Sequence, residues 1–115
     1  MNKSVSTFDM NVYQNMAART SNTVGEDKIL NGCLGLAGEA GEVIDLYKKH
    51  MFQGHVLDID KMAEELGDVL WYCAEIASGL GMDLGEVARR NVDKLRRRYP
   101  NGFDAVRSVN REDEA

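Results

Sequence analysis

Four carboxylates stand out for their type and spacing. Glu39 and Glu42 sit in Glu-Ala-Gly-Glu, and Glu65 and Asp68 in Glu-Leu-Gly-Asp. Each pair is spaced i, i+3, so on a helix both carboxylates of a pair leave the same face one turn apart. At 100° per residue, Gly32, Gly35, Leu36, Val43 and Leu46 all fall within about 60° of Glu39. Glu39 therefore lies inside an apolar arc, with Glu42 at its edge. The second pair repeats this arrangement: Met62, Val69, Tyr72 and Ile76 lie within about 60° of Glu65, with Asp68 at the edge. Glu64 and Glu75 point away from that arc and read as solvated.

Carboxylates aimed into a core are costly unless they are neutralised. A cluster formed by two such pairs must raise its pKa values or hold cations. A donor set made only of oxygen suits a hard cation, Mg²⁺ with Mn²⁺ as a substitute, rather than zinc. A di-iron carboxylate centre is excluded, because it needs Glu-x-x-His on its helices. The third positions after Glu39, Glu42 and Glu65 hold Glu42, Asp45 and Asp68. His50 and His55 flank a loop and read as surface residues.

The elements that must position these acids are helices. A single proline among 115 residues favours them, since proline breaks a helix interior. Residues 7–20 read as a first helix, with Val12, Tyr13, Met16 and Ala17 at helical spacing and Thr7 as its N-cap. Residues 28–51 form a long second helix carrying the first acidic pair. The loop 52–58 follows. Residues 60–78 form a third helix with the second pair, starting at Asp58 or Asp60 and ending at Gly79 or Gly81. Asp83 with Glu86 resembles a capping box for a fourth helix over 84–99, which Pro100 stops. Four helices with short connections imply an antiparallel four-helix bundle.

Gly32, Gly35, Gly38 and Gly41 recur every third residue along the second helix. Each weakens a helix by roughly 0.8–1 kcal/mol relative to alanine. A helix that tolerates this is expected to gain close approach of another helix or of a ligand. On the fourth helix, Asn91 shares an arc with Leu84, Val87, Ala88, Leu95 and Arg98, with Lys94 at the edge. Asn91, Lys94 and Arg98 are thus candidates for phosphate or metal-water contacts opposite the acids. Arg89, Arg90, Arg96 and Arg97 point elsewhere and read as complementing the helix dipole.

Composition bounds the class. The length suggests one domain over residues 1–115, with a core of about 7–104 and a polar tail of 105–115. The net charge of −5 argues against nucleic-acid binding. No stretch approaches the ~20 apolar residues that cross a bilayer, and the first residues carry no apolar leader. Cys33 and Cys73 fall in apolar helical patterns and read as buried free thiols, so the cytoplasm is the expected location.

GLAGEAGEV (35–43), EELGDVLWY (64–72) and NVDKLRRRYPNGF (91–103) closely resemble the MazG-like nucleoside triphosphate pyrophosphohydrolases of the all-α NTP pyrophosphatase superfamily. The resemblance covers roughly residues 10–104. It implies an all-α fold whose helices pair across an oligomer interface, dimer or tetramer. It implies Mg²⁺-dependent cleavage of a nucleoside triphosphate between the α- and β-phosphates. Glu39, Glu42, Glu65 and Asp68 fall on the family's catalytic metal ligands, and Asn91, Lys94 and Tyr72 on positions near the nucleotide. Tyr13-Gln14 also resembles the family's first helix, which makes Gln14 a further substrate-binding candidate. Two alternatives stay open on sequence: a sibling such as a phosphoribosyl-ATP pyrophosphohydrolase, and a non-catalytic module that binds a nucleotide or protein.

Overall fold

A computed structural model describes residues 7–111. Residues 1–6, read above as part of a chain start without an apolar leader, and residues 112–115 of the polar tail lie outside the described residues. The described residues are all-helical and contain no strand. Helix α1 runs Met10–Ala17 and tightens into a 3₁₀ turn, Ala18–Thr20. Helices α2 (Glu26–Phe52), α3 (Ile59–Gly79) and α4 (Leu84–Arg98) follow. A short helix, α5 (Ala105–Val109), lies in the tail.

The starts of the helices follow capping chemistry. Asp9, rather than the expected Thr7, caps α1, its Oδ1 accepting from the Val12 amide at 2.8 Å. Asp58 caps α3 through the Lys61 amide at 3.0 Å. The start of α4 departs from expectation. Asp83 makes no side-chain cap, and Glu86 pairs with Arg89 and Arg90 instead of closing a capping box. The free amides at this end are taken by α1: Leu84 N–H donates to Gln14 Oε1 at 2.7 Å, and Gly85 N–H to Asn11 Oδ1 at 2.8 Å. A side chain at Gly85 would collide with Asn11, since an added Cβ would lie 2.8 Å from its Oδ1. The end of α3 is a Schellman turn. Gly81 takes the left-handed conformation (φ 70°), Met82 N–H reaches Ala77 O and Gly81 N–H reaches Ser78 O.

The main pairing is the antiparallel α2–α3 hairpin. Ile29 lies beside Gly79, Gly32 beside Ile76, and Gly35 beside the Tyr72 ring. At Gly32 an added Cβ would sit 2.4 Å from Ile76 Cγ1 and 3.2 Å from both the Ile76 nitrogen and the Tyr72 carbonyl oxygen. So two of the four glycines do permit close approach. Gly38 and Gly41 do not: nothing in the chain lies within 4 Å of their missing Cβ positions.

The fully buried apolar core is small. Ala74, Ala77 and Leu84 form it, with Tyr13, Ala17 and Cys73 packed against it where α1, α3 and α4 meet. Cys33, expected to be buried, is exposed; both thiols are free. The radius of gyration is 17.7 Å, against about 13 Å for a compact chain of this length. The single chain is therefore a helical hairpin braced at one end, and it does not close the expected four-helix bundle by itself. Leu30, Leu34, Ile44 and Met51 stay exposed along α2. No helix is long and apolar enough to cross a membrane.

These contacts separate the glycines by experiment. Gly32→Ala is expected to lower stability by about 1–3 kcal/mol through overpacking. Gly38→Ala is expected to raise it by about 0.8–1 kcal/mol through helix propensity. Urea denaturation of the two variants checks both signs.

Candidate metal centre and adjoining cavity

The hairpin register carries straight into the site. One turn beyond the Gly35–Tyr72 contact, Glu39 of α2 meets Glu65 and Asp68 of α3. One carboxylate oxygen from each of the three lies within 4.8 Å of the others. Glu65 is 9% exposed, Glu39 is half-buried, and Asp68 and Glu42 are exposed. That is the inward and rim order given by the helical wheel. Glu42 stays outside the triad, although its charge still acts on Glu39.

Carboxylates brought this close favour a proton or a cation among them. A hydrogen bond to the Glu65 carboxyl is the main reason the Glu39 carboxyl is held above the usual range. Burial and the negative charges of Asp68, Glu65 and Glu42 add to it. Lys61 supplies partial compensation from outside, its Nζ lying 3.5 Å from Glu65. Three carboxylates of graded burial form a donor set made only of oxygen, which fits a hard divalent cation.

A cavity of about 350 Å³ opens beside the triad, lined by Thr20, Glu39, Asp68, Trp71 and Tyr72. This is at the small end of the range for ligand pockets. Trp71 and Tyr72 meet edge to face, with ring centroids 5.0 Å apart. Trp71 is anchored through its indole N–H, which lies 3.1 Å from Ala17 O and 3.0 Å from Thr20 Oγ1. Tyr13 of α1 lies close by. Its phenol is pushed up mainly by burial, then by the charges of Asp68 and Cys73.

Of the residues singled out from sequence, Glu39, Glu65, Asp68 and Tyr72 come together here. Gln14 does not line this cavity. It is buried, its Nε2 donating to Ser78 Oγ and Met82 O while its Oε1 accepts from Leu84. Its amide hydrogens are used inside the fold, at the α3–α4 corner. Asn91 is exposed, Lys94 and Arg98 are half-buried, and none of the three lines the cavity.

Three residues were missed. Trp71 carried a usable signal, standing one turn from Asp68 beside Tyr72. Thr20 carried none, because it lies at the end of a 3₁₀ turn. Glu75, read as solvated, is 4% exposed. Its Oε2 accepts from Thr23 Oγ1 (2.6 Å), Ser21 Oγ (2.9 Å) and Asn31 Nδ2 (3.4 Å), and Lys28 stands 3.5 Å from its Oε1. Burial alone would push its carboxyl up; the hydrogen bonds from Thr23, Ser21 and Asn31 and the Lys28 charge outweigh this and hold it below the usual range.

Residues 30–103 match the family described as the MazG nucleotide pyrophosphohydrolase domain. The chain belongs to that family. All three acids of the triad and the two aromatic residues of the cavity fall inside the matched segment. A relative in Mycobacterium phage L5, the gene 37 protein, is 38% identical over 73 residues. That alignment takes in 60% of this chain and 64% of the relative, so the chain spans less than two thirds of the relative's length. No solved structure matches the chain.

The raised Glu39 carboxyl gives the MazG domain a definite pH signature. A raised folded-state pKa adds stability below the ordinary carboxylate value, and this is lost as pH rises through the folded value. A cation that replaces the proton should therefore stabilise the fold more at neutral than at mildly acidic pH. Thermal melting with and without Mg²⁺ across that range measures the difference, and it should shrink in Glu39→Gln. Glu75 works in the opposite direction. Its depressed carboxyl adds stability above about 4.5 that is lost as pH falls through the folded value. Glu75→Gln should therefore flatten the acid limb of the melting profile.

Proposed function

We propose that this MazG domain is a Mg²⁺-dependent nucleoside triphosphate pyrophosphohydrolase, converting an NTP or dNTP to the monophosphate and pyrophosphate. Nucleotide pool sanitation is the cellular role such a reaction serves. The observation that carries the reading is the convergence of Glu39, Glu65 and Asp68 beside an aromatic-walled cavity. A nucleoside needs a stacking surface, which Trp71 and Tyr72 offer. A polyphosphate needs its charge neutralised, which bare carboxylates cannot do.

Glu39, Glu65 and Asp68 are assigned to hold Mg²⁺. The ion would supply charge neutralisation at the phosphate oxygens and a lowered pKa for water. Glu42, outside the triad but near enough to act on Glu39, is placed to orient the attacking water and take its proton. Asn91, Lys94 and Arg98 are assigned to the phosphate end of the substrate, with Lys94 and Arg98 stabilising the departing pyrophosphate.

Self-association is part of the reading. On α2, Leu34, Gly41, Ile44 and Met51 lie within about 60° of Leu30 on the wheel, opposite Glu39. The four large residues of this arc are exposed, and Gly41 faces open space. A second copy of the chain against this face would bury the apolar side chains in a dimer or tetramer. Ile44→Glu should then reduce the mass measured by light scattering.

Pyrophosphate release from canonical and damaged NTPs and dNTPs, and from phosphoribosyl-ATP, at fixed Mg²⁺ tests the activity. At least one nucleotide should be cleaved. Glu39→Gln and Glu65→Gln should each lower kcat/KM by about a hundredfold or more, the scale of losing a group that acts in the transition state. Lys94→Met should mainly raise KM. Release of no pyrophosphate from any substrate would leave the chain a binding module.

A further inference from the structure

Three side chains on one strip of α3 fasten the N-terminal part of the chain. Trp71 holds Ala17 and Thr20, Glu75 holds Ser21 and Thr23, and Ser78 accepts from Gln14. They are spaced i, i+4, i+7, so they stand in a row. Glu75 is the middle member and the one with most to lose. It is 4% exposed and gathers two hydroxyls, an amide and an ammonium from residues 21–31. Lys28 Nζ also donates to Ser21 Oγ at 2.8 Å, closing the network. A carboxylate buried this deeply is retained only where its partners are fixed. The segment it fixes begins next to Thr20, which lines the cavity and accepts the Trp71 indole N–H.

We infer that Glu75 is a positioning residue for substrate: by pinning residues 21–23 of the α1–α2 connection, it holds Thr20 and Trp71 as the wall of the cavity beside the acid triad. This rests on the nucleotide reading above and assigns the α1–α2 connection to nucleoside binding. Glu75 touches neither the triad nor the cavity, so loosening it should affect how the nucleoside sits and leave metal binding and chemistry alone.

Trp71 is the sole tryptophan of the chain, so its fluorescence reports the wall directly. Glu75→Gln and Thr23→Val are compared with the wild type in the full chain. Each is titrated with the α,β-imido analogues of dATP, dGTP, dCTP and dUTP plus Mg²⁺, following Trp71 emission. Steady-state hydrolysis and the Mg²⁺ dependence of the rate are measured alongside. Glu75→Gln should shift the Trp71 emission before nucleotide is added. It should weaken analogue binding and raise KM by about fivefold, the scale of one hydrogen bond. It should leave kcat and the half-activating Mg²⁺ concentration unchanged. Thr23→Val removes one hydroxyl from Glu75 at little change of volume and should move the same quantities the same way by a smaller factor. If Glu75→Gln does not fold, an unchanged Kd and emission in Thr23→Val overturns the inference. Analogue binding by the wild type with equal affinity in both variants also overturns it and leaves the proposed function standing. If the wild type binds none of the analogues and releases no pyrophosphate from any NTP or dNTP, both readings fall.

Discussion

The distance between α2 and α3 governs the rest of the structure. Two helices this long can pair in several registers unless something selects one. Gly32 selects by absence, since its missing side chain is the space into which Ile76 packs and over which the Tyr72 carbonyl passes. Gly35 does the same for the Tyr72 ring. Once those turns are in contact, Glu39 has nowhere to go except toward Glu65 and Asp68. The acid cluster is thus a consequence of how the hairpin packs. The same contact that brings the carboxylates together also orients Tyr72, so one packing decision sets both the charged side and the aromatic side of the cavity.

The electrostatics run against that packing. Closing the hairpin forces carboxylates together, and the Glu39 carboxyl is held above the usual range, chiefly by its hydrogen bond to Glu65. Carboxylates crowded in this way favour positive charge among them. Glu75 shows the alternative solution on the same helix. Its charge is kept, because Thr23, Ser21, Asn31 and Lys28 converge on it. One helix therefore holds two buried glutamates in opposite settings, Glu65 in a row of acids and Glu75 among donors. The first is suited to exchange its partner for a ligand; the second is suited to hold still.

What the sequence made legible was whatever repeats with the helix. Glu39, Glu65 and Tyr72 stand out because they share an arc with apolar residues, Leu36, Val43 and Leu46 on one helix and Met62, Val69 and Ile76 on the other, and helical period places them inward. Periodicity is blind to burial by a connection. Glu75 lies off the apolar arc of α3 and would be solvated on a bare hairpin; residues 21–23 cover it by a path that no pattern announces. The packing of Gln14 was hidden for a related reason. A glutamine on a helix looks equally suited to a ligand or to the amides of another helix, and only the packed corner shows that Leu84 takes it. The closed bundle was inferred from short connections, but short connections fix which helices are neighbours and leave open whether one chain has enough apolar surface to close the ring. Gly38 and Gly41 share a sequence rule with Gly32 and Gly35, yet within the chain only the latter two explain themselves.

The cap on α4 has a consequence for how the chain comes to be folded. Its first two amides are satisfied by Asn11 and Gln14, residues 74 and 70 positions earlier. No side chain next to it in sequence shares the task, since Asp83 makes no side-chain cap. During synthesis α1 leaves the ribosome ahead of α4 and finds its partners only after residue 85 has followed, whereas α2 and α3 meet through a short loop. Closing so long a span is slow relative to local pairing. The hairpin is therefore the part that forms early, and α1, although made before it, settles later.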